Sequence, residues 1–239
     1  PPYRHLLDVS LATRPVASNL LTQSHAVLYL AAELLRPWHQ DIDPQLAVVQ
    51  GAGFTDIALL AGWVALAVLA AWQRQRHPQA AFALLWFLAC LAPSNSLLPR
   101  LDVANDRELY LALAGPAWLV AVALVRMPWR VAVPLGVALI ALLAGCTLLR
   151  NRDYADEVGF WQAALHSSPG NARAANNLGM AYALDCRDRA ARAWFERAVA
   201  LAPGDYRARI NLRLLRSGEL VTPAERRCGQ GGGHGSNPE

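Results

Sequence analysis

Four stretches of the chain lack any charged residue and are long enough to form apolar helices: Ile57–Trp72, Ala80–Leu98, Leu109–Val125 and Val131–Leu149. Crossing a bilayer takes roughly 20 apolar residues, with a range of about 17–25. The second and fourth runs meet that length, and the uncharged residues Gly51–Thr55 extend the first. Helices buried in a large soluble core are also apolar all round. Four in succession, joined by the short polar links QRQRHPQ, PRLDVANDRE and RMPWR, read instead as a membrane bundle. Pro93 and Pro99 predict that the second helix ends or bends at its exit. Trp72, Tyr110 and Trp129 lie near run ends, where amphipathic rings favour the membrane interface.

The pattern differs on either side of these runs. Within residues 1–50, the apolar run Ala26–Leu35 is broken by Glu33 and ended by Arg36 and Pro37. It is too short to span and predicts an interfacial or re-entrant helix, followed by WHQDIDPQ as a solvated loop at the membrane surface. Beyond Arg150 the chain repeats itself. Trp161, Ala164, Pro169-Gly170, Arg173-Ala174 and Asn177-Leu178 are matched 34 positions later by Phe195, Ala198, Pro203-Gly204, Arg207-Ala208 and Asn211-Leu212. That is the period of the tetratricopeptide repeat, a helix–turn–helix unit. Residues 172–205 fill one unit, with Leu178, Gly179 and Tyr182 on the first helix and Ala191, Phe195 and Ala198 on the second. Residues 153–167 and 206–216 supply halves of the neighbouring units.

The expected fold class is therefore all-α: a polytopic α-helical membrane bundle of about four spans, followed by a short tetratricopeptide-repeat helical array. The expected organisation is an extracytoplasmic loop with its interfacial helix (1–50), a transmembrane region (51–150), the repeats (151–216) and a disordered tail (217–239) ending in GQGGGHGSNPE. At least three repeats are usually needed for a continuous core, so this array is expected to lean on the membrane part, on a partner, or on repeats missing from this piece.

Composition agrees with that division. Of 239 residues 54% are hydrophobic and 17% charged, against roughly 25% charged in ordinary soluble proteins, which excludes a disordered chain. All 22 basic residues are Arg. The net charge of +4 is small and scattered, which argues against a nucleic-acid partner. Cys90, Cys146, Cys186 and Cys228 have no CxxC spacing and no His cluster nearby, so no metal site is expected. Cys90 and Cys146 fall inside apolar runs and read as packing residues. The chain opens Pro-Pro, without an initiator Met or signal peptide, and reads as a piece of a longer protein. Orientation follows the links. Arg74, Arg76, Arg126 and Arg130 stand without acids, whereas Arg100, Arg107, Arg150 and Arg152 lie among five acids between Leu101 and Asp156. Counting basic residues alone gives a tie. The acid-free links are assigned to the cytoplasm, which puts residues 1–50 and the repeats outside it.

Two stretches carry a family resemblance. NLLTQSHAVLYLAAELLRPWHQDIDP is similar to an "LTQ…V…YL..L..P…..D" loop, and APSNSLLPRLDVANDRELYLALAG is similar to a "P.SN.IP…..ADRYLYLPS.G" stretch. Pro93, Ser94, Asn95, Asp106, Arg107, Leu109, Tyr110, Leu111 and Gly115 match. Glu108 stands where the family has an aromatic or small residue, and Ala112 where it has Pro. With the repeats, residues 12–216 resemble the C-terminal half of the TMTC-type O-mannosyltransferases and their bacterial relatives, polytopic GT-C class glycosyltransferases. The resemblance implies a polyprenyl-phosphate sugar as donor substrate and no cofactor within this chain. It also implies a bacterial inner-membrane location with periplasmic repeats, and catalytic carboxylates in an upstream loop that no residue here matches.

Candidate residues follow. Arg107, with Tyr110, is the candidate for binding a lipid phosphate, because a guanidinium presents a planar fork of donors. The alternative is an interfacial Arg that snorkels or pairs with Asp106. His39, Asp41 and Asp43 read as a solvated loop rather than as ligands. Asn177 and Asn211 share a repeat position and are candidates for holding an extended peptide, since an amide both donates and accepts; plain repeat identity is the alternative. Trp161, Trp194 and Phe195 read as inter-helix packing. Expected partners are membrane lipid and an acceptor or partner protein. The reading is either the C-terminal portion of a glycosyltransferase or a non-catalytic membrane-anchored scaffold. A transporter fits less well, because the spans carry no buried charge.

Overall fold

The computed structural model describes residues 14–38, 41–93, 95 and 103–228. These residues are helical with no strand among them, and they form two compact units that divide after Leu148.

The first unit opens with α1 (Val16–Glu33), α2 (Phe54–Gln73) and α3 (Pro78–Leu91). A 3₁₀ turn at Asp106–Glu108 leads into α4 (Leu109–Ala112), α5 (Ala114–Val125) and α6 (Trp129–Asp153). Helices α2 and α6, of 20 and 25 residues, are long and apolar enough to span; at 1.5 Å per residue they reach about 30 and 37 Å. Of the four expected spans, the described residues show two helices long and apolar enough to cross, or three if the bent α4–α5 pair counts as one. Helix α3 has 14 residues, about 21 Å of rise, because its run stops at Leu91 ahead of Pro93. The third run is split by a 49° bend. Pro116 in the first turn of α5 has no N–H to give and its ring crowds the carbonyl four residues back, a known cause of kinks.

Close backbone approach sets the packing of α3 on α5. A Cβ at Gly115 would lie 2.4 Å from the Ala83 carbonyl oxygen, so only glycine fits there. Indole groups tie the same elements together: Trp86 Nε1 donates to the Leu111 carbonyl at 2.9 Å, and Trp118 Nε1 donates to Gln79 Oε1. Helix α1 is longer than the ten-residue run expected from the sequence. It runs 18 residues, and Leu30 enters a core with Phe87, Leu91, Leu109 and Ala112.

Helices α2 and α6 turn their apolar surface outward, and α6 buries no residue at all. Soluble monomers rarely expose apolar patches above a few hundred Å², so the surface needs lipid. The chain is expected to stay in the pellet after carbonate washing of membranes; recovery in the supernatant would refute a spanning arrangement.

The second unit contains α7 (Glu157–Ser167), α8 (Ala172–Leu184), α9 (Asp188–Leu201) and α10 (Tyr206–Ser217). Asp156, Asn171 and Asp205 cap α7, α8 and α10 by accepting from Gly159, Ala174 and Arg207 N–H, the capping expected of short polar residues at helix starts. Consecutive helices pack on one another, and α8 also touches α10. Ala174, Ala175, Leu178, Ala181, Ala183, Ala191 and Phe195 are wholly enclosed. Residues 218–228, grouped with the disordered tail on sequence grounds, run back over the ends of these helices. Gly218 at φ 78° turns the chain after α10, Val221 is buried, and Cys186 is disulfide-bonded to Cys228.

Candidate functional site

The described ends of the second resembling stretch meet through side chains of Asn95 and Glu108. Asn105 accepts the Arg107 N–H at 3.1 Å and so starts the 3₁₀ turn. Asn95, at the end of α3, donates through Nδ2 to Glu108 Oε2 at 2.7 Å and to the Leu91 carbonyl at 3.3 Å. Glu108 thus fastens the turn to the end of α3. Arg107 is exposed and Tyr110 is 81% exposed. Among the described residues no ion pair between Arg107 and Asp106 is formed. Ser94 and residues 96–102 lie outside the described residues.

Helix α1 holds the first resembling stretch. Thr22 Oγ1 accepts Val49 N–H at 3.0 Å and donates to the Ser18 carbonyl at 2.7 Å. Ser18 Oγ donates to the Val49 carbonyl, so an extended segment is clamped along the helix. Trp63 Nε1 donates to the Ser24 carbonyl at 3.1 Å. His25 Nε2 meets Asp56 Oδ1 at 2.8 Å, while Asp56 Oδ2 accepts Gly53 N–H at 3.0 Å. An acid three residues into a helix is a recognisable capping signal; its pairing with a His 31 residues earlier has no sequence signal. Asp41 and Asp43 are buried, at 5% and 7% exposure, and Asp41 Oδ1 accepts the Asp43 N–H at 3.0 Å. The solvated-loop reading is corrected for these two, and His39 lies outside the described residues. Among the described residues no three His, Cys, Asp or Glu side chains gather as a metal-binding group.

In the second unit Asn211 Nδ2 donates to Asn176 Oδ1 at 2.9 Å, and Asn176 Nδ2 approaches Asn177 Oδ1 at 3.4 Å. Asn211 thus reaches its neighbour helix through Asn176, an amide that the 34-residue comparison does not single out, and Asn176 in turn approaches Asn177. Gln162 Nε2 donates to the Tyr182 hydroxyl at 2.8 Å, and the Arg187 guanidinium lies 4.5 Å from the Tyr182 ring centroid. Phe195 is completely buried. Trp161 is half-buried with its ring edge-on to Phe160, and Trp194 is half-buried and faces Arg197.

The returning strap adds charge. Arg227 N–H donates to the Leu184 carbonyl at 2.7 Å. Its guanidinium reaches Glu157 at 2.7 Å and Asp185 at 3.9 Å, and the hydrogen bond to Glu157 raises its pKa further. Arg226 reaches Asp188 at 3.4 Å. Compared with protein-family models, curated proteins and solved structures, the chain matches none.

Proposed function

We propose that the chain is the C-terminal portion of a polyprenyl-phosphate-sugar-dependent membrane glycosyltransferase of the protein O-glycosylation type, set in a bacterial inner membrane. The carrying observation is the Asn95–Glu108 link. It ties the SN and DRE parts of one stretch together and leaves Arg107 and Tyr110 outward at the start of the apolar α4–α5 pair. A guanidinium there can form paired, charge-assisted hydrogen bonds to a lipid phosphate. The 34-residue repeat, the small-residue core of α8 and α9 and the packing of α8 on α10 support a tetratricopeptide array that binds acceptor or partner protein. The Cys186–Cys228 disulfide supports a periplasmic array, because disulfides persist in oxidising compartments.

The test is Arg107→Ala in the full-length protein. Donor-lipid affinity and glycosyl transfer should fall by about ten- to a hundred-fold, since a hydrogen bond to a charged group contributes roughly 1.5–3 kcal/mol. Helix content should stay unchanged. Arg107→Lys should recover only part of the loss, because an ammonium keeps the charge without the planar fork. Transfer unaffected by Arg107→Ala would overturn the reading.

The linked amides Asn176, Asn177 and Asn211 favour a second reading, a membrane-anchored scaffold whose repeats hold partner proteins. An acidic pair in a loop upstream of residue 1 of the full-length gene product would decide for the enzyme, and its absence for the scaffold.

A further inference from the structure

The 34-residue match breaks down at one kind of position. On α8, Ala175, Leu178, Gly179 and Tyr182 are buried, and the Phe195 ring of α9 lies against Gly179. The residues 34 positions later, on α10, are Arg209, Leu212, Arg213 and Arg216. Three of the four positions that seat the next helix on α8 are therefore arginine on α10. Covering a guanidinium with an apolar helix carries a large desolvation cost, so this face is not built to receive one. Among the described residues no helix follows α10. Positions 206, 209, 210 and 213 fall on one side of a 3.6-residue helix, opposite buried Ala208. Tyr206, Arg209, Ile210 and Arg213 are all exposed there, with exposed Arg216 beside them. The helix has four arginines and no acid in its 12 residues. Arg216 shares Glu196 with Arg192, at 3.7 and 2.9 Å. Arg209 and Arg213 make no ion pair among the described residues. The flanking acids are engaged locally: Asp205 accepts the Arg207 N–H, and Glu219 accepts the Ser217 hydroxyl.

A face made only for solubility mixes both signs of charge and leaves out large apolar groups. This face carries one sign, with a tyrosine and an isoleucine set among the arginines. A lipid headgroup layer satisfies every member of that set. Guanidinium groups meet phosphates, apolar side chains reach the boundary with the acyl chains, and a tyrosine ring favours that depth. Connectivity keeps lipid within reach. Residues 154–156 alone separate α7 from α6, a helix long and apolar enough to span. A short tether gives a high effective concentration, so a weak surface attraction suffices. We propose that the outer face of α10 docks on an anionic bilayer, with Arg209 and Arg213 on lipid phosphates and Tyr206 and Ile210 at the headgroup–acyl boundary. The docking requires α6 to span; it does not depend on the transferase function.

The test uses the whole chain in lipid nanodiscs and reads energy transfer from a dye on the array to an acceptor on the lipid headgroups. The dye sits on Gly204→Cys, in the turn before α10, where an added Cβ meets nothing within 4 Å. Cys90→Ala and Cys146→Ala remove the free thiols. Transfer should be higher in discs containing roughly one-third phosphatidylglycerol than in pure phosphatidylcholine. About 1 M salt, which shortens the screening length to about 3 Å, should abolish the difference. Arg209→Gln with Arg213→Gln should lower the docked-to-free ratio in anionic discs by about 30-fold, each basic residue near such a surface contributing about five-fold. Ile210→Ser should lower it by a smaller factor and leave the salt dependence in place. Arg189→Gln, an exposed arginine in the first turn of α9, should leave it unchanged. Equal transfer in the two kinds of disc overturns the docking. A loss with Arg189→Gln as large as that of one α10 arginine also overturns it, because net charge rather than this face would then set the attraction. If polyglutamate binds the chain in phosphatidylcholine discs through Arg209 and Arg213 while phosphatidylglycerol has no effect, the face belongs to an acidic protein, and the lipid assignment falls.

Discussion

Phe195→Ala should destabilise the second unit by about 3–5 kcal/mol, the cost of truncating a buried aromatic. Phe195 is at 0% exposure in the middle of α9. Its ring lies where α8 carries no side chain: a Cβ at Gly179 would come within 2.7 Å of two ring carbons. The ring is therefore seated on backbone, and backbone cannot move in to fill the space left by alanine. The neighbours Ala175, Leu178 and Ala191 are themselves enclosed, and only Leu178 has rotamers to offer. A single domain holds roughly 5–15 kcal/mol in all, so the loss removes a large share of it. Denaturant unfolding of the chain in detergent, read from protease susceptibility within 149–228, measures this directly. Phe195→Leu should cost much less, and Gly179→Ala should destabilise from the opposite side by pushing a methyl group into the ring. A change below about 1 kcal/mol for Phe195→Ala would mean that the ring is not the keystone of the α8–α9 contact.

The sequence pattern located helices better than it located spans. Each of the four charge-free runs contains helix, and the 34-residue period places α8, α9 and α10 close to their observed limits. Counting apolar residues misjudges span length because it ignores backbone geometry. Ala80–Leu98 passes through Pro93, and the helix ends at Leu91; Leu109–Val125 passes through Pro116, and the helix bends. Pro93 was a visible stop, whereas Pro116 sits in an otherwise unbroken apolar run. Helix α1 was underestimated for a different reason. Its N-terminal half is buried through Asn19, Thr22 and Gln23, and polar residues read as solvated unless their partners are known. Thr22 meets Val49, 27 residues away; His25 meets Asp56, 31 away. Such pairings exist only once the chain is folded. The same holds for Asp41 and Asp43, whose burial reverses the reading drawn from their charge. At the candidate site, the tie from Asn95 to Glu108 that fixes the turn beside Arg107 and Tyr110 has no sequence signal.

Loss of the Cys186–Cys228 disulfide should lower the stability of the second unit by about 4 kcal/mol. The two cysteines are 42 residues apart, and the chain-entropy relation for a loop of that length gives this value at 25 °C. The bond matters here because the unit buries little core and, among the described residues, no further helix follows α10. The strap takes that place in part. Cys186 sits at φ 63° in the turn after α8, where its side chain meets Cys228. Val221 is buried between the two ends of the strap, and Arg227 holds the Leu184 carbonyl and Glu157. The ion pairs of Arg226 and Arg227 are solvent-exposed and contribute little alone. Without the covalent link the strap has one apolar anchor, and residues 219–228 should become the first site of proteolysis. A Cys186→Ser, Cys228→Ser double variant, compared with the parent in oxidised and reduced forms, separates the link from the side chains. Its stability should match that of the reduced parent, with both well below the oxidised protein. Thiol labelling in cells adds the compartment: Cys186 and Cys228 should resist a maleimide until a reductant is added, while Cys90 and Cys146, which are free, do not change. If Cys186 and Cys228 label freely in untreated cells, the array faces a reducing compartment, and the periplasmic assignment fails with the clasp.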